Sequence, residues 1–233
     1  MSIQYWTISN WANKYYIVKN LIVKQHKCFK GENILEVNAE NCYCLNQNSN
    51  NEFIKWIVRA LGPVLLGVKP SEILSFPGND EISINKKQNV KAIIKYSSKI
   101  KFKEFTFPNG CSKILFYNVR LLDYTLNHGS NLKFLKRLNY PTEYSLNNYL
   151  DHLIMKMKDG EIPDEIGVFL GYPLKDVIGF MGHPSLKLTK TCGWRVYGDP
   201  TVSDKKYQEI VDAKNRINTM LLINKPDKVI QLA

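Results

Sequence analysis

The sequence predicts an α+β protein in which a small antiparallel sheet packs against several helices, with a strand-rich N-terminal extension. The runs "KFKEFTF" and "SKILFYNV" alternate apolar and polar residues on either side of the turn signal "PNG", as expected for a β-hairpin. The segments before and after this hairpin carry apolar residues at helical spacing. At 44% hydrophobic residues in a chain of 233, there are enough apolar side chains for a real core.

The chain divides at the Asn-rich stretch "NQNSNNE", which is typical of a loop. Before it, "YYIVKNLIVKQ" and "NILEVNAENCYCLN" contain many residues that favour strands. Residues 1–50 are therefore predicted to form the strand-rich extension. Residues 51–233 are predicted to form one α+β core domain, which agrees with a usual size of roughly 100–200 residues per domain.

The first half of the core domain is predicted to contain three helices before the hairpin. Asn51 is the expected cap of the helix "EFIKWIVRAL", and the step Gly62-Pro63 should interrupt that helix. Ser71, with Glu72 in the first turn, predicts a short second helix. The third is "NKKQNVKAIIKYSSK", and the hairpin follows it.

The second half of the core is predicted to be mostly helical. The segments "RLLDYTLN" and "NLKFLKRLN" predict two short helices, and "SLNNYLDHLIMKMKDG" predicts a longer one that Ser145 caps. "IPDEIGVFLGYPLKDVIGF" then predicts two helices separated by a sharp break at Gly171. "LKLTKTCGWRVYGD" predicts two strands around Gly193. Ser203 should cap the last long helix, "DKKYQEIVDAKNRINTMLL".

The charge balance is strongly basic, with 32 Lys and Arg against 21 Asp and Glu, or +11. This balance suits an anionic partner: nucleic acid, a phosphorylated ligand or an acidic carrier protein. The lysines are scattered over many segments, however, so a general composition bias accounts for much of the charge. If nucleic acid is the partner, the Lys-rich segments 86–103 and 205–216 are the expected contacts, and its affinity should fall steeply with salt.

Nothing in the sequence indicates a membrane or secreted protein. No apolar run approaches the roughly 18 residues needed to cross a bilayer. A signal peptide has a compact apolar stretch followed by small residues. The start of the sequence, "MSIQYWTISNWANKYYIVKN", has no such stretch. We therefore expect a cytoplasmic location and no membrane partner.

The five cysteines are an odd number, which argues against a disulfide framework. A weak candidate metal site has four soft ligands: His26, Cys28, Cys42 and Cys44. A Cys-x-Cys pair is less usual for zinc than cysteines separated by two to four residues, so buried or half-buried thiols are the preferred interpretation and no metal is expected. The sequence indicates no particular cofactor. Cys192, next to Gly193, is the candidate reactive thiol.

The two-helix stretch that ends at Phe180 has two interpretations. A glycine in its turn is typical of a helix-turn-helix, but its second helix, "LKDVIGF", offers no Arg, Asn or Gln to read base edges. We expect a core helical hairpin. Asp164 and Glu165 at its start favour the helix dipole. An acid/base pair is the alternative, although adjacent helical residues point roughly 100° apart.

Three segments together, "GPVLLGVKPSEILSF", "IPDEIGVFLGYPLKDVIGF" and "CGWRVYGD", resemble the clostridial family catalogued as domain of unknown function 3793. The resemblance covers about residues 51–220 and implies no established activity. It implies Cys before the first Gly-Pro step and His before Glu-Ile-Gly, where this chain has Leu61 and Asp164. A Cys and a His together can form a nucleophile with its base, or a metal or haem site. On that resemblance, this chain lacks such a site as a pair.

The segments that carry the resemblance also contain the candidate ligand-binding residues: Lys69, Glu165, Tyr172, Arg195 and Tyr197. On a strand, Arg195 and Tyr197 face the same side, where the guanidinium can donate two hydrogen bonds to a carboxylate or phosphate. The alternative is that Arg195 pairs with a carboxylate at the rim of the core. For Lys69, the alternative is a solvated lysine in a turn.

These observations predict a protein that binds a small anionic ligand or an acyl group on an acidic carrier. The first alternative is an enzyme that acts on such a ligand, through the Cys192 thiol or through Asp164 and Glu165. The second alternative is a nucleic-acid-binding protein that uses its basic surface. The sequence does not choose between a binding protein and an enzyme, and it leaves the oligomeric state open.

Overall fold

The computed structural model describes residues 50–76, 81–108, 110–158 and 160–233. The predicted N-terminal extension lies outside these ranges, and so do the four weak metal candidates His26, Cys28, Cys42 and Cys44.

The described residues form an α+β fold, as predicted. In chain order the elements are α1 (Asn50–Leu65), β1 (Ser71–Phe76), α2 (Glu81–Ile94), β2 (Ile100–Thr106), β3 (Ser112–Asn118), α3 (Val119–Asn127), α4 (Gly129–Arg137), α5 (Leu146–Met157), α6 (Ile166–Phe169), α7 (Leu174–Phe180), β4 (Leu188–Cys192), β5 (Trp194–Tyr197), α8 (Thr201–Ile223) and α9 (Pro226–Leu232).

The centre of the fold is a three-stranded antiparallel sheet with the order β1-β3-β2. Every residue of the central strand β3 is buried, because helices cover both faces. Ile114 and Phe116 of β3 point into one hydrophobic cluster, and Leu115 and Tyr117 point into another. This alternation is the period-two geometry of a strand. A separate two-stranded antiparallel ribbon, β4-β5, lies beside α7.

The cluster on the first face of the sheet comes from α1, α2, α8 and α9. Helices α1 and α8 approach each other closely at Gly62, where an added Cβ would lie 2.7 Å from Cγ1 of Ile217. Near its start, α8 reaches the end of α1, since Lys206 Nζ donates to the Val68 carbonyl at 2.6 Å. The two helices therefore run antiparallel. The cluster on the second face comes from α3, α4, α5, α6 and α7.

Several local signals in the sequence are confirmed. Strands β2 and β3 form the predicted hairpin, and Ser145 accepts a hydrogen bond from the Asn148 backbone at 3.2 Å, as a helix cap does. The break between α6 and α7 falls at Gly171, where φ is +77°. The turn between β4 and β5 falls at Gly193, with φ of +70°.

The helix predicted at Ser71 is wrong, because these residues form strand β1. Ser71 pairs with Tyr117 of β3, and its hydroxyl donates to the Phe169 carbonyl at 2.7 Å. Ile73 and Leu74 are both buried, one on each face of the sheet. Pairing with a strand about 40 residues later along the chain outweighs a capping signal worth about 1 kcal/mol.

Other helix boundaries also differ from the prediction. Helix α1 begins at Asn50, so Asn51 lies inside it and is not its cap. Helix α1 continues through Pro63 to Leu65, because the missing N–H and the ring disturb only its final turn. Helix α8 begins at Thr201, so Ser203 lies inside it and is not its cap. Pro200 stands at the cap position, and Asp199 just before it accepts the Thr201 N–H on Oδ1 at 3.0 Å.

The structure also bears on the membrane question. Within the ranges that it describes, no helix is both long enough and apolar enough to cross a bilayer.

The close approach of Gly171 to Pro70 should make Gly171→Ala more destabilising than its backbone conformation alone explains. An added Cβ at Gly171 would overlap Pro70 Cδ, whereas at Gly67, with φ of +68°, the nearest atom lies 4.0 Å away. We expect Gly67→Ala to lower the free energy of unfolding by about 1–2 kcal/mol through left-handed strain. Gly171→Ala should lose about 1–3 kcal/mol more through overpacking. Urea unfolding of both variants measures the difference, and equal losses would contradict the contact.

Candidate functional site

The site is organised by one buried carboxylate, that of Asp176 in α7. Asp176 is 2% exposed. Its two oxygens accept four hydrogen bonds, from Lys175 Nζ at 2.7 Å, Trp194 Nε1 at 2.8 Å, the Tyr197 backbone N–H at 2.9 Å and Ser203 Oγ at 2.6 Å. These donors lie on α7, β5 and α8, so one side chain ties three elements together.

The electrostatics of Asp176 follow from these contacts. Burial by itself would raise the pKa of the carboxyl group. The hydrogen bonds from Lys175, Ser203, the Tyr197 backbone and Trp194 outweigh burial and hold the pKa below its ordinary value. Asp176 is therefore an ionised and well-satisfied anchor at neutral pH.

An aromatic stack connects this anchor to the start of β1. The Trp194 ring stacks on Tyr172 at 4.8 Å and meets Tyr207 edge-on at 6.3 Å. Lys69 Nζ lies 5.4 Å from the centre of the Tyr172 ring, within the range of a cation–π contact. The helical pair α6–α7, the ribbon β4-β5 and the segment just before β1 therefore pack as one unit.

Lys69 is buried at 2% exposure, which corrects the alternative interpretation of a solvated turn lysine. Its ammonium forms an ion pair with Glu72 Oε2 at 2.8 Å. Burial alone would lower the pKa of Lys69, but the Glu72 carboxylate, together with Tyr172, raises it above its ordinary value. In turn, burial raises the pKa of Tyr172. Lys69 is thus a neutralised charge inside the fold.

Arg195 and Tyr197 lie on the face of β5 that is turned toward α7, as their alternation predicts. An added Cβ at Gly179 would overlap the Tyr197 ring. The Arg195 guanidinium lies 5.7 Å from the centre of the Phe180 ring. In the part of the chain that the structure describes, no carboxylate forms an ion pair with Arg195. The alternative interpretation, an ion pair between Arg195 and a carboxylate at the rim of the core, is therefore not found among these residues.

The surface next to Arg195 is basic and partly apolar. Thr191 of β4 lies directly across from Arg195, and β4 is almost wholly exposed. Met181 and Leu188 are 39% and 52% exposed. The sequence from residue 177 to residue 198 contains no Asp or Glu. An anion bound here would meet no carboxylate from this segment.

Glu165 belongs to a different cluster, against the second face of the sheet. It is 3% exposed and accepts hydrogen bonds from the Tyr140 hydroxyl at 3.2 Å and from the Lys156 ammonium. The His152 ring lies 4.4 Å from the Tyr140 ring. Burial and Lys156 lower the pKa of His152, and burial with Glu165 raises that of Tyr140. Both groups are therefore neutral near pH 7.

The five predicted ligand-binding residues thus occupy three places. Lys69 and Tyr172 contact each other on the Trp194 side of β5. Arg195 and Tyr197 lie on the opposite side of β5, against α7. Glu165 is held by Tyr140 and Lys156.

The remaining candidates are placed as follows. Asp164 is half-buried beside Glu165. Cys192 is half-buried at the end of β4. Leu61 packs in the cluster on the first face of the sheet, whereas Ile166, two residues after Asp164, packs against the cluster on the second face. Among the described residues, no group of three or more His, Cys, Asp or Glu side chains is arranged to hold a metal ion.

Sequence reasoning missed Asp176 as the organising residue. A signal was present, because Asp176 is the single carboxylate in the mostly apolar segment "LKDVIGF". A lone acid on a buried helix is normally hydrogen-bonded by groups from elsewhere in the chain. The partners themselves, Trp194 and Ser203, lie 18 and 27 residues away, so the segment alone does not identify them.

The depressed pKa of Asp176 predicts a specific loss of stability in acid. The unfolded carboxyl group binds a proton at its ordinary pKa and the folded one only at lower pH. The contribution of Asp176 is therefore complete above the ordinary carboxyl pKa and is lost as the pH falls through the folded value. We expect Asp176→Asn to lower the free energy of unfolding at pH 7, and the difference from the natural sequence to shrink toward pH 3.

Urea unfolding at both pH values measures this effect. The matched control is Asp212→Asn, an exposed carboxylate on α8, which should stay within about 0.5 kcal/mol of the natural sequence. A deficit in Asp176→Asn that is the same at pH 3 and pH 7 would show that the charge of Asp176 does not stabilise the fold.

The comparison with known proteins confirms the family resemblance and adds no activity. No curated protein and no solved structure matches the chain. The model of a family described as "Protein of unknown function (DUF3793)" matches residues 57–231, which is most of the chain and spans the sheet, both helical layers and the ribbon. The chain therefore belongs to the DUF3793 family.

Proposed function

We propose that this protein binds a small anionic ligand with an apolar portion, such as an acyl group on an acidic carrier protein. The observation that carries the proposal is Arg195. Its half-buried guanidinium lies on the Phe180 ring and has no carboxylate partner among the described residues. A positive charge held in place without a partner is suited to a negative ligand.

The chemistry of arginine supports a carboxylate or a phosphate as the anionic group. A guanidinium is planar, stays charged, stacks on aromatic rings and donates two parallel hydrogen bonds to such groups. The Arg195 guanidinium lies 5.7 Å from the centre of the Phe180 ring, so a cation–π contact can accompany the hydrogen bonds that its N–H groups donate to a ligand. Thr191, directly across the ribbon, offers a hydroxyl group on the same side.

The surroundings of Arg195 support an apolar portion in the ligand and an acidic partner. The exposed side chains of Met181 and Leu188 lie on the segments that flank the guanidinium, namely the end of α7 and strand β4. Lys187 is exposed on the same acid-free segment, whereas the exposed Lys190 pairs with Asp204 of α8 at 2.7 Å. A carrier protein with an acidic surface would meet attraction there, since complementary charge steers association.

Hydrogen bonds and an aromatic stack hold strand β5, which carries Arg195. Asp176 binds both Trp194 and the backbone of Tyr197, the residues on either side of the Arg195–Val196 pair. Tyr172 stacks on the far side of Trp194. Preorganised side chains bind more tightly because less freedom is lost on binding.

The alternatives receive less support from the contacts. In the Lys-rich segment 86–103, Lys87 and Lys91 both pair with Glu104, so part of the charge proposed for nucleic acid is neutralised. The Glu165 carboxylate, proposed for acid/base chemistry, is occupied by Tyr140 and Lys156. We place the protein in the cytoplasm, which the odd number of cysteines in the sequence supports.

The first experiment is native mass spectrometry of the protein purified from its own host. A retained acidic or acyl-bearing molecule, or an acidic carrier protein, is the expected result. Nucleic acid that co-purifies and is released by moderate salt would instead favour the basic-surface alternative and contradict the proposal.

The second experiment tests Arg195 with two defined probes, inorganic phosphate and octanoate, in calorimetric or NMR titrations. Octanoate should bind more tightly than phosphate because it has an apolar chain. Removing a hydrogen bond to a charged group costs about 1.5–3 kcal/mol, so Arg195→Ala should weaken octanoate binding about 10- to 100-fold. Arg195→Lys should fall between, since it keeps the charge and loses the paired donors.

The matched control is Arg120→Ala, which removes an exposed arginine from α3 and should leave octanoate binding unchanged. The proposal would be contradicted if the natural protein and Arg195→Ala bound octanoate with equal affinity. It would also be contradicted if neither octanoate nor phosphate bound the natural protein.

A further inference from the structure

One buried charge differs from the others. Four charged side chains are buried among the described residues: Lys69, Lys113, Glu165 and Asp176. Three of them pair with an opposite charge, on Glu72, Lys156 and Lys175 respectively. Lys113 forms no ion pair with any residue that the structure describes.

The surroundings of Lys113 are apolar and aromatic. It is 8% exposed and lies in the central strand, between Ser75 of β1 and Phe105 of β2. Its Nζ lies 2.7 Å from Ser75 Oγ and 5.2 Å from the centre of the Phe107 ring. A hydroxyl group and an aromatic ring are therefore among the neighbours of the amine, at the end of the sheet where β2 and β3 are joined.

Burial without a counter-ion disfavours the ammonium form. A buried ammonium is costly unless it is paired, and a lysine in such a place favours its neutral state. Burial lowers the pKa of Lys113, and the nearby Cys111 only partly opposes this effect. A larger fraction of Lys113 is therefore the free amine at neutral pH than of an exposed lysine.

We propose that Lys113 is a nucleophilic amine that forms an imine with small apolar aldehydes or ketones at the hairpin end of the sheet. Neutral lysines in apolar sites are suited to this reaction, because only the unprotonated amine has a lone pair to donate. The rings of Phe105 and Phe107, both buried, favour an uncharged and apolar carbonyl compound. With only 8% of the residue exposed, the compound must be small.

The reaction balances without an oxidant or a reductant. The amine lone pair forms a C–N bond to the carbonyl carbon, and the electrons of the C=O π bond move to oxygen. The nitrogen gives up its two protons, the oxygen leaves as water, and a C=N bond remains. The Ser75 hydroxyl, at 2.7 Å from Nζ, is within reach to relay one of these protons.

The test is competitive labelling of the full chain with butyraldehyde at pH 7. Sodium cyanoborohydride reduces each imine to a stable secondary amine, and peptide mapping at low conversion gives a labelling rate for every lysine. Each unit by which a pKa is lowered raises the free-amine fraction about tenfold. We expect Lys113 to be labelled several-fold faster than the exposed Lys95 at pH 7, and this preference to shrink as the pH rises toward about 11, where lysine amines in general lose their protons.

The matched internal control is Lys103, which lies in β2 and pairs with Asp151 at 2.7 Å. Lys103→Met should leave the labelling of Lys113 unchanged, whereas Lys113→Met should remove the fast site. The decisive measurement uses the natural sequence and therefore does not depend on whether a variant folds. Labelling of Lys113 at pH 7 that is no faster than that of Lys95 and Lys103 overturns the proposal. Arg195 takes no part in it, so the two proposals fail independently.

Discussion

The region around the helical pair α6–α7 and the ribbon β4-β5 depends on one interaction, the hydrogen-bonded carboxylate of Asp176. An ionised carboxylate in a protein interior is stable only when donors surround it. Here the donors come from three elements that are separate in the chain: α7, β5 and α8. Satisfying one charge therefore fixes the position of β5, and with it the direction in which Arg195 points.

The presence or absence of an opposite charge distinguishes the buried side chains that hold the fold together from the two cations that are proposed to act on ligands. Lys69, Glu165 and Asp176 are buried with a partner of opposite sign, and their contacts join elements of the fold. Arg195 on the ribbon and Lys113 in the sheet form no ion pair with a described residue, although Arg195 is half-buried and Lys113 is buried. Arginine stays charged in any protein environment, so it suits an anion, whereas a buried lysine is inclined to become neutral and reactive.

How well the sequence predicts the structure depends on how local each signal is. The hairpin, the Ser145 cap and the break at Gly171 follow from neighbouring residues, and the structure confirms them. The side to which Arg195 and Tyr197 point follows from strand alternation. Local signals at Ser71 predict a helix where the structure has strand β1, because the partner strand β3 lies far along the chain. The five candidate ligand-binding residues occupy three places, which the motifs could not reveal because a motif gives residue types without giving the path of the chain. Strand β5 separates Lys69 and Tyr172 from Arg195 and Tyr197.

The most direct test of the central role of Asp176 is hydrogen exchange at the Trp194 indole nitrogen, followed by NMR and assigned with Trp194→Phe. Trp194 is 4% exposed and its Nε1 donates to Asp176 at 2.8 Å. The structure predicts that this proton exchanges about as slowly as the backbone amides at the centre of β3, because both require opening of the core. Exchange at the rate of an exposed indole would contradict the account, since the carboxylate could not then be holding β5 in place.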